Sequence, residues 1–314
     1  MLRDLSLLHM RVFDWTQWLV LPASLIQVVL RSSVAGPAAI VRSLSNIDRQ
    51  FDVVVVAHQD DWQVFMGDVV ANRIKAGDSL TFIYLTAGDD GRDSLYWRTR
   101  ERSALQSTLV AAGVRPSDSA IGCSTRRVAE HEVQECLVGS TRSYFLRLPD
   151  GKRNGAGFGL HSYQSLRKLR AGKITAISAI DGSTSYRGWD DVVATVRQLI
   201  GSSSREDITL HTTDPSITVN PHDHFDHRMA GLLVADLRKT RNWKARYYVG
   251  YALATRAANR SQDQAREKTA IFLAYDKEMM RVNRQWSAYA EHPAFYSQCM
   301  LRTYARSAPV PQKR

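Results

Sequence analysis

The sequence predicts an α/β protein: a single domain built on a mostly parallel sheet with helices on both faces, preceded by an extra N-terminal helical segment. Three observations predict this fold. Four consecutive valines at residues 53–56 lie between polar residues, which is typical of a short strand buried on both faces of a parallel sheet. Short apolar segments and segments with helical spacing then alternate, which favours strand–helix–strand units. The length of 314 residues allows such a domain a sizeable core.

The first segment, residues 1–48, is expected to be an apolar helical extension followed by a linker. Residues 18–30 are apolar but too short to span a bilayer. Two alternatives stay open, a helix packed on the domain or lying on a membrane surface, and the core of a signal peptide. Arg31 follows this apolar stretch directly, which weighs against a signal peptide. We therefore expect a cytoplasmic protein, with residues 13–30 as the candidate for peripheral membrane association.

The candidate domain spans residues 49–260 and is followed by a C-terminal helix and polar tail at residues 261–314. Periodicity and glycine stops predict strands at residues 51–57, 79–85, 144–148, 207–212 and 246–253. They predict helices at residues 62–76, 97–112, 189–200, 228–239 and 263–286. The pattern weakens over residues 123–187, and Gly155, Gly157 and Gly159 are expected to form a flexible loop rather than a phosphate cradle. The tail beyond Ala305 is expected to be frayed.

The composition limits the classes of partner. Lys and Arg number 42 against 31 Asp and Glu, a formal net charge of +11, which favours an anionic substrate or surface. The basic residues are scattered, and no nucleic-acid-binding motif is present, so no nucleic acid is expected. Cys123, Cys136 and Cys299 suggest neither a disulfide framework nor a thiolate metal site, and they weakly favour a reducing compartment.

Two clusters of polar residues follow predicted strands and carry the candidate chemistry. His58, Asp60 and Asp61 come directly after the first strand, and His227 lies in a second cluster after the strand at residues 207–212. Since ligands bind at the carboxyl ends of strands in open α/β sheets, the two clusters are expected to meet. A tight turn can aim His58 and Asp61 at one point, and His227 would complete the three nitrogen and oxygen ligands of a catalytic zinc. Iron or another divalent ion is the alternative.

Three further side chains fit the hydrolysis of an amide. Asp60 would lie beside the metal and accept the proton of an attacking water. His224 would present an imidazolium to the developing oxyanion or to the leaving amine. Asp226 would accept the His224 N–H and hold its charge. Two competing interpretations are that His58 is a hydrogen-bonded structural residue and that Asp60 and Asp61 only cap the next helix. Three histidines within residues 222–227 favour a metal site instead. His222 is expected either to line the pocket or to stabilise a turn.

The two clusters resemble known motifs. Ala57-His58-Gln59-Asp60-Asp61 resembles the A-H-P-D-D motif of the PIG-L/LmbE family of zinc-dependent de-N-acetylases, and His224-Phe225-Asp226-His227 resembles that family's H-x-D-H motif. Leu148-Pro149-Asp150-Gly151 and Arg98-Thr-Arg-Glu101 are similar to further family segments. The resemblance implies a Rossmann-like fold, the same metal ligands and base, and removal of an N-acetyl group from an amino sugar or its conjugate. Trp62, Arg98, Asp150 and His222 become candidate substrate-binding residues.

Two departures from the family pattern concern the substrate. Gln59 replaces a proline, which is expected to loosen the turn, and Trp62 replaces an acidic residue and is expected to stack on a sugar or acyl face.

Two alternatives to an amino-sugar deacetylase stay open. One is a metal-dependent amidase or esterase for a non-sugar substrate, and the other is a non-catalytic protein that binds an anionic glycan or lipid.

Overall fold

A computed structural model describes residues 51–201, 208–282 and 287–308. The predictions for residues 1–48, including the helix at residues 13–30, concern residues outside these ranges. Within the described ranges, no helix is both long enough and apolar enough to cross a membrane.

The domain is built on one eight-stranded sheet. Its strand order is β10-β9-β8-β1-β2-β5-β4-β3, and the five strands from β9 to β5 run parallel. A separate two-stranded sheet pairs β6 with β7. The strands are β1 Phe51–Val56, β2 Ser79–Thr86, β3 Gly122–Val128, β4 His131–Val138, β5 Thr141–Leu148, β6 Ala176–Ser178, β7 Ser185–Arg187, β8 Ile208–Thr213, β9 Lys244–Tyr248 and β10 Ala305–Ala308.

Helices cover both faces of the sheet, as predicted. The helices are α1 Asp61–Lys75, α2 Ser94–Ala111, α3 Leu166–Arg170, α4 Gly188–Ile200, α5 Phe225–Arg238, α6 Gln262–Val282, α7 Ala288–Glu291 and α8 Pro293–Met300. Alternate residues of β1 point to opposite faces. Val53 and Val55 pack in the apolar cluster that includes residues of α3, α4 and α5. Val54 and Val56 pack in the cluster that includes residues of α1, α2, α6 and α8. The valine run is therefore the centre of both cores, and the α/β prediction is confirmed.

The region of weak pattern contains an antiparallel extension of the sheet. Strands β3 and β4 pair with each other, and β4 pairs with β5. Most of β3 is exposed, so its sequence lacks the alternation that marks a half-buried strand. The loop with Gly155 and Gly157 is closely packed instead of open: both residues have positive φ, and a Cβ at either would lie within 2.5 Å of a neighbouring atom.

Two predicted boundaries near the C-terminus are wrong. The strand predicted over residues 246–253 ends at Tyr248, and a 3₁₀ helix follows at Tyr251–Thr255. Within the tail predicted to be frayed, residues 305–308 pair antiparallel with β9 as strand β10. Here the backbone hydrogen bonds of a sheet edge outweigh the polar character of the tail's side chains.

The expectation that the cysteines form no disulfide is also wrong. Cys123 and Cys136 are bonded, while Cys299 is free and buried. The β3–β4 hairpin places the two half-cystines directly opposite each other, which a 13-residue sequence separation alone did not indicate. Since disulfides persist in oxidising compartments, the cysteines no longer favour a reducing one.

Thiol titration tests this pairing. Unreduced protein unfolded in guanidinium is expected to react with one equivalent of a thiol reagent per chain, at Cys299, because a disulfide does not react. After reduction the count should rise to three, the number of cysteines in the sequence. Three reactive thiols before reduction would contradict the bond.

Candidate active site

Three side chains from the two clusters converge at the carboxyl edge of the sheet. His58 lies two residues after β1, Asp61 is the first residue of α1, and His227 lies in the first turn of α5. His58 Nδ1 is 3.1 Å from His227 Nε2 and 3.4 Å from Asp61 Oδ1. His227 Nε2 is 3.0 Å from the same Asp61 oxygen. All three residues are buried. We call this group the triad.

The triad fits a divalent cation. Ligand atoms at about 2.0–2.1 Å from a tetrahedral zinc ion lie about 3.3 Å from one another. The observed distances of 3.0 to 3.4 Å match this spacing. Two imidazole nitrogens and a carboxylate oxygen are also ligands that zinc accepts, and the three atoms lie close enough together to hold one ion.

The electrostatics of the triad favour positive charge. Burial opposes charge on His227, but attraction to Asp61 and Asp223 raises its pKa to about 10. Burial likewise opposes charge on His58, and attraction to Asp61 raises its pKa well above the usual value. Burial disfavours the Asp61 carboxylate, yet both histidines hold its pKa well below its usual range. A cation can take the place of the protons in such a group.

A carboxylate that the sequence analysis did not single out orients His227. Asp223 Oδ1 lies 2.9 Å from His227 Nδ1, which leaves Nε2 facing the other two triad residues. Gly250 permits this arrangement, because a Cβ there would lie 2.1 Å from Asp223 Oδ2. The spacing of four residues between Asp223 and His227, at the start of a predicted helix, is the sequence signal that was available.

Asp223→Asn is expected to lower metal affinity by about 10- to 100-fold, the usual effect of removing a carboxylate that orients a histidine ligand. The amide can still accept a hydrogen bond but carries no charge. Competition with a zinc-binding dye would measure the dissociation constant. An affinity equal to that of the unmodified chain would show that Asp223 does not support His227 as a ligand.

The opposite side of His58 faces a second polar group. His58 Nε2 lies 3.5 Å from Asp150 Oδ2 and 3.8 Å from Asp226 Oδ2. His224 Nε2 lies 3.6 Å from the other Asp150 oxygen. These four residues are also close enough to hold an ion. However, His58 Nδ1 faces the triad, so a neutral His58 that is bound there carries its proton on Nε2.

The structure corrects the predicted role of Asp226. His224 is the N-cap of α5, and its Nδ1 accepts the Asp226 backbone N–H at 3.2 Å. The Asp226 carboxylate is 3.8 Å from that nitrogen and instead accepts the Gly151 backbone N–H at 2.7 Å. A neutral His224 therefore carries its proton on Nε2, toward Asp150. Two N–H groups thus face Asp150, which disfavours a second metal site.

The predicted imidazolium at His224 is revised as well. Burial and repulsion from His58 and His227 keep the pKa of His224 well below its usual value, so the ring is a neutral N–H donor. Burial raises the pKa of Asp150 to about 6, and Asp226 adds to this effect while His58 opposes it.

Asp60 lies beside the triad and is held by an arginine. Its Oδ1 accepts a hydrogen bond from Arg100 Nη2 at 2.5 Å. Arg100 also donates to Gln59 Oε1 at 3.3 Å and to Tyr96 Oη at 3.3 Å. Arg98, the arginine predicted to bind substrate, is exposed and lies over the Trp97 ring. Side chains two positions apart on a helix point in directions that differ by about 200°, so Arg100 reaches the site and Arg98 does not.

The departures from the motif have structural roles that differ from those predicted. Gln59 is fully buried, and its amide nitrogen donates to the Thr86 carbonyl at 2.8 Å. It therefore ties the turn to β2 and does not loosen it. Trp62 is fully buried as well; its indole N–H donates to Tyr84 Oη at 3.1 Å, and its ring contacts Phe82. It cannot stack on a substrate.

Two further histidines, His222 and His211, lie outside the triad. His222 is exposed with φ of 59°, and its carbonyl oxygen accepts hydrogen bonds from Arg153. The turn alternative therefore describes His222 better than a pocket contact does. His211 is buried in β8, between Asp52 at 2.9 Å and Tyr248 Oη at 2.9 Å.

A cavity of about 270 Å³ opens above the triad. Its lining includes His58, Asp60, Asp61, Asp150, His224 and Arg100. Tyr251 and residues of α7 and α8 complete the lining. None of these C-terminal residues was predicted to line the site.

The fold and this cavity define an α/β protein with a candidate site for a divalent metal. The PIG-L family model, described as GlcNAc-PI de-N-acetylase, matches residues 53–237, which is more than half of the chain. The chain therefore belongs to the PIG-L family, as the motifs indicated, and is a deacetylase, a hydrolase of amide bonds.

Comparison with curated proteins finds no match. Among solved structures, the chain is similar to an N,N'-diacetylchitobiose deacetylase from Pyrococcus horikoshii, with 13% identity, a TM-score of 0.46, and coverage of 89% of this chain and 95% of that one. It is similar to a deacetylase of the teicoplanin biosynthetic pathway, with 11% identity, a TM-score of 0.42, and coverage of 79% and 88%. It is also similar to a 4-carboxy-2-hydroxymuconate hydratase from Pseudomonas putida KT2440, with 12% identity, a TM-score of 0.42, and coverage of 79% and 82%. Likeness at these scores carries no argument about activity.

Proposed function

We propose that the protein is a zinc-dependent deacetylase that hydrolyses the N-acetyl amide of an amino sugar or amino-sugar conjugate. The observation that carries this proposal is the triad, whose ligand atoms have the mutual distances of a tetrahedral metal site, with the Asp60 carboxylate beside it. Family membership supports the amide and the amino sugar.

His58, Asp61 and His227 would hold the ion, and Asp223 would fix the His227 ring. A zinc ion bound there supplies Lewis-acid chemistry, which activates water and polarises an amide carbonyl. Asp60, held by Arg100, accepts a proton as water adds to the carbonyl carbon. His224, neutral and protonated on Nε2, donates a hydrogen bond to the carbonyl oxygen as negative charge develops there. The C–N bond then breaks, the amine nitrogen takes up the proton that Asp60 accepted, and acetate leaves.

The positive net charge supports an anionic conjugate only weakly, since many arginines are paired. Arg147, for example, donates to Glu101 and Asp181. We therefore retain both neutral and anionic amino sugars as substrates.

Metal content and acetate release test this function together. Protein purified without chelator is expected to contain about one zinc per chain, and it should release acetate from N-acetylglucosamine glycosides. Chelation should abolish acetate release, and added zinc should restore it. A protein that binds no zinc on incubation, or that keeps full activity without metal, would contradict the proposal. Acetate release from simple acetamides but not from sugars would favour the non-sugar amidase.

A further inference from the structure

Three aromatic side chains that contact one another line the cavity, and we call them the aromatic wall: Tyr251, Phe295 and Tyr296. Tyr251 belongs to the 3₁₀ helix after β9, and the other two belong to α8. All three are half-buried, so part of each ring faces the cavity. All three also lie outside residues 53–237, the part of the chain that matches the family.

The rings of the aromatic wall contact one another in series, starting from His227 of the triad. The Tyr251 ring meets His227 edge-on at 5.1 Å between centroids, and Phe295 meets Tyr251 edge-on at 5.6 Å. Tyr296 meets Phe295 at 5.1 Å. Phe295 is thus linked to His227 through Tyr251. It lines the same cavity as His58 and Asp61, so a group attached to a sugar whose amide lies at the triad can contact it.

Residues of α6 support the aromatic wall. Fully buried Phe272 of α6 stacks on Tyr296 at 4.6 Å with 19° between the ring planes. The Lys268 ammonium, also from α6, donates to the Cys299 carbonyl at 3.0 Å and so fixes the end of α8. Aromatic faces that are already ordered bind a flat ligand without a further loss of side-chain entropy.

The rest of the cavity lining is largely polar. It includes Asp60, Asp90, Arg92 and Arg100. A cavity lined by both aromatic rings and polar groups suits a ligand that has C–H faces and hydroxyls, or a sugar joined to a flat apolar group.

We propose that Phe295 and Tyr296 form a second subsite, which binds the apolar face of the group attached to the acetylated sugar. The inference rests on the proposed function and makes it narrower: the substrate is an amino-sugar conjugate, and residues beyond the family region determine which conjugate is bound. The attached group is a second sugar ring or an aromatic aglycone, which present the same kind of flat apolar face.

Binding of matched glycosides tests the subsite. Three ligands are compared on the zinc-loaded Asp60→Asn chain, in which slow turnover allows calorimetry: the methyl glycoside of N-acetylglucosamine, its phenyl glycoside, and the methyl glycoside of N,N'-diacetylchitobiose. At least one of the two extended ligands is expected to bind about tenfold more tightly than the simple methyl glycoside, a gain typical of a buried aromatic contact. Tighter binding of the phenyl glycoside would identify the attached group as an aromatic aglycone, and tighter binding of the diacetylchitobiose glycoside would identify it as a second sugar.

Phe295→Ala in the same background is expected to reduce that ratio to about one while leaving the affinity for the simple methyl glycoside unchanged. Phe295→Leu keeps an apolar side chain for folding and should lose most of the ratio. Tyr304→Ala is the matched control, since Tyr304 is a half-buried aromatic residue of the same apolar cluster that does not line the cavity. It should leave the ratio unchanged.

Two results would overturn the subsite: no gain for either extended ligand, or a gain that survives Phe295→Ala. Neither depends on turnover, because the measurement is a ratio of dissociation constants. The proposed function is judged separately, by acetate release from the simple methyl glycoside with unmodified enzyme. That release can succeed while the subsite fails, and it can fail while the ratio still supports the subsite.

Discussion

Asp60→Asn is expected to reduce kcat by about 10²- to 10⁴-fold, the usual contribution of a positioned general base. Asparagine has nearly the same shape and can still accept the Arg100 hydrogen bond, but it cannot take a proton from water. Because Asp60 is not a member of the triad, zinc content should stay at about one per chain. Acetate release and metal analysis on the same preparation measure both quantities.

Asp118→Asn is the control for this experiment. Asp118 is an exposed carboxylate that accepts hydrogen bonds from Arg102 and Gln106 of α2, so the change also removes an arginine's carboxylate partner but far from the cavity. Its kcat should equal that of the unmodified chain. If Asp60→Asn keeps full activity, Asp60 is not the base; if it loses zinc, Asp60 belongs to the metal site.

His227→Ala is expected to yield protein without stoichiometric zinc. The change removes one of three ligand atoms and leaves His58 and Asp61 without the nitrogen that lies about 3 Å from each. Two remaining ligands of a tetrahedral site hold zinc too weakly to survive dialysis. Metal analysis after dialysis measures the loss, and circular dichroism confirms that the chain is folded.

His222→Asn is the matched control for metal binding. His222 is a histidine of the same cluster, but it is exposed and lies in a turn with positive φ, a conformation that asparagine tolerates. This variant should keep its zinc. Full zinc content in His227→Ala would refute the ligand assignment, and loss of zinc in His222→Asn would place a ligand where the structure shows none.

The sequence predicted the residues of the site better than it predicted their partners. The valine run of β1 is apolar because both of its faces are buried, and parallel strands end at one edge of a sheet. The meeting of His58, Asp61 and His227 could therefore be expected from two strands of one parallel sheet. Hydrogen-bond partners depend on side-chain direction. The carboxylate of Asp226 faces Gly151 instead of His224, and Arg100 faces the site where Arg98 was predicted, since each helical residue is rotated by about 100° from the last.

The sequence could not show which distant segments complete the cavity. Phe295 and Tyr296 lie more than sixty residues beyond His227 in the chain, and only the packing of α8 on α6 and on Tyr251 brings them to the site. Trp62 shows the opposite error, since it was predicted to line the site and does not. Its position beside the motif predicted contact with substrate, yet the start of α1 directs it into the core, where Tyr84 accepts its N–H.

The central place of β1 has a consequence for how the chain is made. Phe51 pairs with Ser79 on one side and with Ile208 on the other, so one edge of the central strand has no partner until most of the domain has been synthesised. Pairing over such a separation is slow, and the unpaired edge is open to aggregation in the meantime. His58 and Asp61 are synthesised early, but His227 can join them only after β8 has docked. Under the proposed function, zinc binding by all three ligands therefore follows closure of the sheet.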